Sequence, residues 1–160
     1  MRVVLYQPDI AQNAGAILRL GACLGVAVDL IEPLGFAFRD HGLRRAAMDY
    51  LDHVAYRRHR SWAAFMAARA EQAGAGQSGR LVLLTTAART PYTEFAFRAR
   101  DFLIVGRESA GVGDAVRADV DASVTIPLRP GPRSLNVANA LAMVLGEALR
   151  QTGTFPRGTP

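Results

Sequence analysis

Three groups of residues in this sequence have the types and spacing to do chemistry. Asn13, Gly15 and Arg19 set an amide and a guanidinium six residues apart, about one and two-thirds turns of a helix. Gly106, Glu108 and Gly111 hold a carboxylate between two glycines where the apolar run Phe102 to Val105 ends. That carboxylate could accept hydrogen bonds from hydroxyls or cap a following helix near Val112. Arg133, Ser134, Asn136 and Asn139 follow a loop with three prolines, Pro127, Pro130 and Pro132. Ser134 reads as a helix N-cap, and Asn136 and Asn139 share one face of the helix it opens. Two asparagines on a helix otherwise made of Leu135, Val137, Ala138, Ala140, Leu141 and Val144 are costly to bury unpaired, so their amides need partners. Asn13 as a cap and Arg19 as an exposed helix arginine is the plainer reading of the first group, and both readings stay open.

The elements that must position these groups alternate along the chain. Short β-branched or apolar runs read as strands at Val3 to Tyr6, Val26 to Ile31, Leu81 to Thr85, Phe102 to Val105 and Ser123 to Ile126. Between them lie a helix after Asn13 closed by Gly25, a short one from Asp40 through Met48, one capped by Ser61, and a last one over 135–150. Gly74 to Gly79 reads as a surface connection. Strands apolar on both faces, alternating with helices, predict an α/β fold with a mostly parallel sheet covered on both sides. Such sheets bind ligands at the carboxyl ends of their strands. The loops 106–111 and 127–136, glycine- and proline-shaped and rich in bare backbone amides, are therefore the expected ligand site.

Composition narrows the class. The chain has 160 residues, one cysteine and a net charge of +5 carried wholly by arginine, since lysine is absent. That length predicts one domain over 1–153, with 154–160 a frayed tail. Cys23 among Leu20, Ala22 and Leu24 reads as a buried small hydrophobe, and a lone cysteine suits a reducing, cytoplasmic setting. No run is long and apolar enough to span a bilayer, and no secretory leader is visible. His41, His53 and His59 fall at no ligand-like spacing, so no metal is expected, and the three read as solvated surface. Neither a Gly-x-Ser-x-Gly elbow nor a glycine-rich dinucleotide turn occurs. The basic excess favours a polyanionic partner. Arg39, Arg44, Arg45, Arg57, Arg58 and Arg60, interleaved with Tyr50, Tyr56 and the histidines, form the candidate RNA-binding span, with a solvated face paired to Asp40, Asp49 and Asp52 as the alternative.

Taken in order, Asn13-x-Gly15-x-x-x-Arg19, Val105-Gly106-x-Glu108-x-x-Gly111-Val112, and Ile126-Pro127-Leu128 leading to Ser134-Leu135-Asn136-Val137-Ala138-Asn139-Ala140 resemble the three motifs of the SPOUT superfamily, SpoU branch. The resemblance covers nearly the whole chain. Val4-Leu5-Tyr6-Gln7-Pro8-Asp9-Ile10, Ile31-Glu32-Pro33-Leu34-Gly35-Phe36 and Leu43-Arg44-Arg45-Ala46-x-x-Asp49-Tyr50 resemble its small single-domain branch, which acts on the wobble nucleotide of tRNA.

The resemblance implies an S-adenosylmethionine-dependent RNA 2′-O-methyltransferase. It further implies a doubly wound sheet with a deep C-terminal trefoil knot formed around 84–89, 106–111 and 127–136, a topology that general rules of connectivity disfavour. It assigns cofactor binding to Leu84, Gly106, Ile126, Leu128 and Ser134, with Glu108, Asn136 and Asn139 around them. Catalysis falls to Arg19 assisted by Asn13, in a homodimer that sets Arg19 against the partner's pocket, and the substrate is the anticodon stem-loop of tRNA. Methylation of another tRNA position or of ribosomal RNA is the alternative activity. A non-catalytic RNA-binding or nucleotide-sensing domain is the alternative class, separable by cofactor binding. Arg107 departs from the pattern, which has a small residue or proline there.

Overall fold

The computed structural model describes residues 1–38, 41–73, 79–131 and 133–158. All but the last residue of the expected surface connection Gly74 to Gly79, and the start of the second helix at Asp40, lie outside the described residues, as does Arg39. Seven parallel strands form one sheet: β1 (Arg2–Tyr6), β2 (Ala27–Ile31), β3 (Tyr56–His59), β4 (Leu81–Leu84), β5 (Thr90–Pro91), β6 (Phe102–Val105) and β7 (Ala122–Thr125). Their order is β3-β2-β1-β6-β4-β7-β5. The helices are α1 (Ala11–Leu24), α2 (His41–Ala47), α3 (Trp62–Ala73), α4 (Asp114–Asp119) and α5 (Val137–Thr152), and 3-10 turns span Met48–Asp52 and Tyr92–Glu94.

The apolar strands alternate between two cores. Val3 and Leu5 of β1, Val82 of β4, and Leu103 and Val105 of β6 face α1, α2 and α5, packing on Ile17, Leu18, Leu43, Leu141 and Leu145. Val4, Leu81, Leu83, Phe102 and Ile104 face the other way, onto Phe65 of α3 and Val116 of α4. Side chains of period two on strands covered on both faces explain why these runs show no polar alternation in sequence. The expected parallel α/β sheet is thus observed, and it is wound on both sides.

Gly15 is where two helices come into close contact. A β-carbon there would lie 2.6 Å from the Leu43 carbonyl oxygen and 2.7 Å from Ala46 Cβ, so its absence lets α1 and α2 cross closely. Several expectations fail. The edge strand β3 went unread because Tyr56, Arg57 and Arg58 are all exposed, which removes the apolar signal. Cys23 is exposed, not buried. It lies off the stripe of Ala14, Ile17, Leu18 and Gly21 that α1 buries. His59 is buried, not solvated, and its Nε2 sits 2.8 Å from Asp29 Oδ1. Asp29 also accepts from Arg2 Nε at 2.7 Å, so the sheet encloses a carboxylate with two partners. Ser61 caps α3 as expected, accepting from Ala64 N at 3.1 Å. Gly25 closes α1 in the left-handed conformation (φ 64°), and Gly153 does the same for α5 (φ 63°).

Candidate functional site

The strands stay parallel throughout, but the order in which they are added changes direction between β1 and β6. The connection after β1 leads to α1 on one face and the connection after β6 leads toward α4 on the other, so the two loops diverge and leave a crevice at the strand ends. There a cavity of about 620 Å³ opens, lined by residues ending or following β4 (Leu84, Thr85, Thr86), β6 (Gly106, Arg107, Glu108, Gly111) and β7 (Ile126, Leu128). The segment Arg133 to Val137 and Ile10 and Asn13 of the first connection close it. The loops expected from sequence are the loops that enclose it.

The three groups of residues meet through hydrogen bonds. Asn13 Nδ2 donates to Glu108 Oε1 at 2.9 Å, and Asn136 Nδ2 donates to Asn13 Oδ1 at 2.8 Å. Glu108 Oε2 accepts from the Asp9 backbone N–H at 3.0 Å, and Asp9 Oδ1 accepts from the Glu108 backbone N–H at 3.2 Å. The Ser109 hydroxyl donates to the other Asp9 carboxylate oxygen. Asn13 is therefore not a cap. α1 begins at Ala11 with Ile10 preceding it, and Asn13 sits inside the first turn with its amide turned to the β6 loop. Ser134 is not the cap of α5 either. Asn136 Oδ1 accepts from Ala138 N at 2.9 Å and Asn139 N at 3.2 Å, so the helix starts at Val137. As the cap, Asn136 lies outside the helix face it was expected to share with Asn139. Its amide has found a partner on the other helix.

Gly106 is held where no side chain fits. A β-carbon there would lie 2.5 Å from the Gly111 carbonyl carbon. Arg107 N donates to Gly111 O at 2.9 Å, Gly111 N donates back to Arg107 O at 2.7 Å, and Gly111 itself is left-handed (φ 67°). The glycine pair folds the β6 loop tightly against the cavity.

Burial first, and then the neighbouring Asp9 carboxylate, raise the Glu108 pKa above its ordinary 4.5. Asp9 moves the other way, to about 2, chiefly through its hydrogen bond with Glu108 and then the Ser109 hydroxyl. The signs are opposite. Glu108, raised in the fold, contributes stability at low pH that is lost as pH rises through its folded value; Asp9 contributes stability at higher pH that is lost as pH falls toward about 2. Glu108→Gln is permanently neutral and removes the first dependence. Thermal melts from about pH 4 to about pH 8 should show wild type losing ground to the variant as pH rises, and a constant difference would contradict the assignment.

Of the residues singled out from sequence, Asn13, Leu84, Gly106, Glu108, Ile126, Leu128, Arg133, Ser134 and Asn136 line the cavity. Arg19 and Asn139 do not. Arg19 is exposed on α1, with Nη1 3.1 Å from Met48 Sδ and its guanidinium 5.1 Å from the Tyr50 ring centre. Thr85, Thr86 and Ile10 line the cavity without having been singled out as site residues, although Thr85 ends an expected strand, both threonines lie in the 84–89 segment and Ile10 follows the first proline turn. Asp9, the backbone partner of Glu108, carried no signal beyond its place after Pro8. Among the described residues no cluster of His, Cys, Asp and Glu could hold a metal ion, and no helix is long and apolar enough to cross a membrane.

The cavity lies within the roughly 300–1,000 Å³ typical of small-ligand sites. Its apolar walls at Ile126, Leu128 and Val137 suit a planar base, and the loop backbone with the Ser134 hydroxyl suits polar substituents. S-adenosylmethionine, half nucleoside and half amino acid, fits that lining.

A parallel α/β sheet wound on both sides, with a loop-built cavity at the strand ends and a tight Gly-x-Glu-x-x-Gly turn on its wall, defines a class that the comparisons make specific. A model of the SpoU rRNA Methylase family matches residues 1–146, and the chain belongs to that family. It is 60% identical over 155 residues to the tRNA (cytidine(34)-2'-O)-methyltransferase of Beijerinckia indica, covering 97% of this chain and 94% of that protein. A solved structure described as giving insights into the 2-OH methylation of C/U34 on tRNA superposes with a TM-score of 0.84 at 40% identity, covering 94% of each chain. The SpoU methyltransferase AviRb from Streptomyces viridochromogenes, in complex with the cofactor AdoMet, superposes at 0.88 with 28% identity, over 94% of this chain and 57% of that one.

Proposed function

We propose that the chain transfers a methyl group from S-adenosylmethionine to the 2′-hydroxyl of the wobble nucleotide of tRNA, position 34, a cytidine or modified uridine. It is an enzyme of the type its nearly full-length relatives represent. The observation that carries the reading is the hydrogen-bonded line Asn136–Asn13–Glu108, which ties the three motif segments together on the wall of one cavity. Incubation of the protein with labelled cofactor and separate pools of tRNA and ribosomal RNA tests it: label enters tRNA alone. Label in ribosomal RNA only would support the alternative acceptor, and no cofactor binding would support a non-catalytic domain.

When bound, S-adenosylmethionine supplies an already activated sulfonium methyl, so the protein needs to align the acceptor oxygen and help its proton leave. Backbone at Leu84, Gly106, Ile126 and Leu128 with the Ser134 hydroxyl holds the cofactor. Glu108 and Asn136 fix the loop and helix that flank it. Asn13 spends one amide proton on Glu108 and its oxygen on Asn136, which leaves a second amide proton to place the target ribose. Arg19 orients the acceptor by gripping its phosphate. A guanidinium holds its proton too tightly to act as a base, so the proton goes to phosphate or water.

Arg19 stands outside the cavity of its own chain, which supports a homodimer in which each Arg19 serves the partner's site. Gln12, Ala16, Arg19 and Cys23 form one exposed stripe of α1, and Ile10, Leu135 and Met143 are exposed apolar residues available to such an interface. In the same reading the catalytic domain is 1–153 with a short tail after it, and the C-terminal part is a trefoil knot. The return of α5 onto α1 and β6 after β7 supports that threading.

Arg44, Arg45, Arg57 and Arg58 belong to the tRNA-binding surface. Arg45 and Arg57 are exposed, and the Arg44 side chain lies outside the described residues. Arg58 pairs with Glu32 at 2.8 Å and lies 4.8 Å from the Phe38 ring centre, so part of its charge is already answered. Replacing Arg44 and Arg45 together with alanine should weaken tRNA binding at low salt and flatten its log–log salt slope by roughly 0.7–0.9 per lost phosphate contact. Cofactor affinity should not change, and an unchanged salt slope would return these arginines to a solvated face.

A further inference from the structure

The arginines of this chain divide by what holds them. Arg2, Arg58, Arg69, Arg80 and Arg150 each pair with a carboxylate, at Asp29, Glu32, Asp121, Asp101 and Glu147 respectively. Arg107 is half-buried on the cavity wall and, among the described residues, pairs with none. Its Nη2 donates to Gln7 Oε1 at 2.8 Å and its Nε reaches Gln7 O at 3.4 Å. Among the described residues Gln7 is one of two non-glycine residues with positive φ (48°), and it sits directly after β1. The carboxylates nearest in sequence are committed elsewhere: Glu108 accepts from Asp9 and Asn13, and Asp9 accepts from Ser109 and Glu108. A fixed cation on a site wall, anchored only by neutral groups, is arranged to receive an anion that comes and goes.

We propose that Arg107, clamped by Gln7, is a contact for a backbone phosphate of the RNA beside the nucleotide being methylated. This rests on the reading of the cavity as an RNA methyltransferase site. The remaining guanidinium N–H groups point the affinity toward a phosphate, whose oxygens match the fork geometry. The cofactor's own carboxylate offers the same anionic chemistry, and the test separates the two.

Steady-state methylation of tRNA is measured for wild type, Arg107→Ala and Arg107→Gln at saturating cofactor and several salt concentrations, alongside calorimetry with S-adenosylhomocysteine. Gln keeps a hydrogen bond for Gln7 while removing the charge, so it carries the test if Ala perturbs the loop. Both variants should raise the tRNA KM about tenfold, leave kcat and the S-adenosylhomocysteine Kd within about twofold, and flatten the salt slope by roughly 0.7–0.9. Weakened S-adenosylhomocysteine binding with an unchanged tRNA KM would assign Arg107 to the cofactor carboxylate and overturn the proposal. Unchanged values throughout would overturn it as well. Wild type that methylates no tRNA would instead overturn the underlying reading, which distinguishes the two failures.

Discussion

Arg19→Ala is expected to lose at least tenfold in methyl transfer, about 1.4 kcal/mol or more of transition-state stabilisation, while binding S-adenosylhomocysteine as wild type does. The side chain contributes nothing to the cavity of its own chain, so ligand affinity has no reason to fall. Its guanidinium rests on the Tyr50 ring and the Met48 sulfur, neutral supports that hold it without neutralising it. A charge kept in this state is available to a phosphate. A variant keeping more than about a tenth of wild-type kcat would remove Arg19 from catalysis.

The complementary loss is expected in Gly106→Val, where cofactor binding fails. Its β-carbon would press 2.5 Å from the Gly111 carbonyl carbon and 2.8 Å from that residue's Cα and oxygen. Gly111 cannot retreat without breaking the paired backbone bonds to Arg107 at 2.9 and 2.7 Å. The β6 loop must open instead, and Glu108, two residues on, loses its alignment with Asp9 and Asn13. Calorimetry should show at least a tenfold loss of S-adenosylhomocysteine affinity, and unchanged affinity would move the pocket elsewhere. The two defects also test the dimer. In a two-fold dimer with shared sites, co-refolding the two inactive variants in equal amounts makes half of the dimers mixed, each with one intact site, and restores about a quarter of wild-type activity. No recovery would place Arg19 and the pocket in one chain.

Much of this was legible in the residues. The strands β1, β4 and β6 were readable because each must serve two cores, which leaves no room for polar positions. The cavity was readable because glycine and proline mark where strands dissolve into loops. What stayed hidden is long-range. Asn13 and Glu108 are 95 residues apart, and Asn136 and Asn13 are 123 apart, so no local pattern distinguishes their mutual bonds from two caps and a surface amide. The start of α5 slipped because Ser134 and Asn136 are both competent caps, and the bond from Asn136 to Asn13 favours the second. His59 was misjudged for a similar reason: its partner Asp29 lies on a different strand and is brought beside it only by the register of β2 and β3. Arg19 stood out by sequence position, yet it lies outside the cavity lining.

With the ribose oxygen of nucleotide 34 as the acceptor, a single substitution in the substrate abolishes transfer. A full-length tRNA with a 2′-deoxy nucleotide at position 34 is compared with its natural counterpart under labelled cofactor, followed by nuclease mapping. The natural tRNA should carry label only on the ribose of nucleotide 34, and the deoxy tRNA none. Equal incorporation into both, or label mapping to any other nucleotide, would place the acceptor elsewhere.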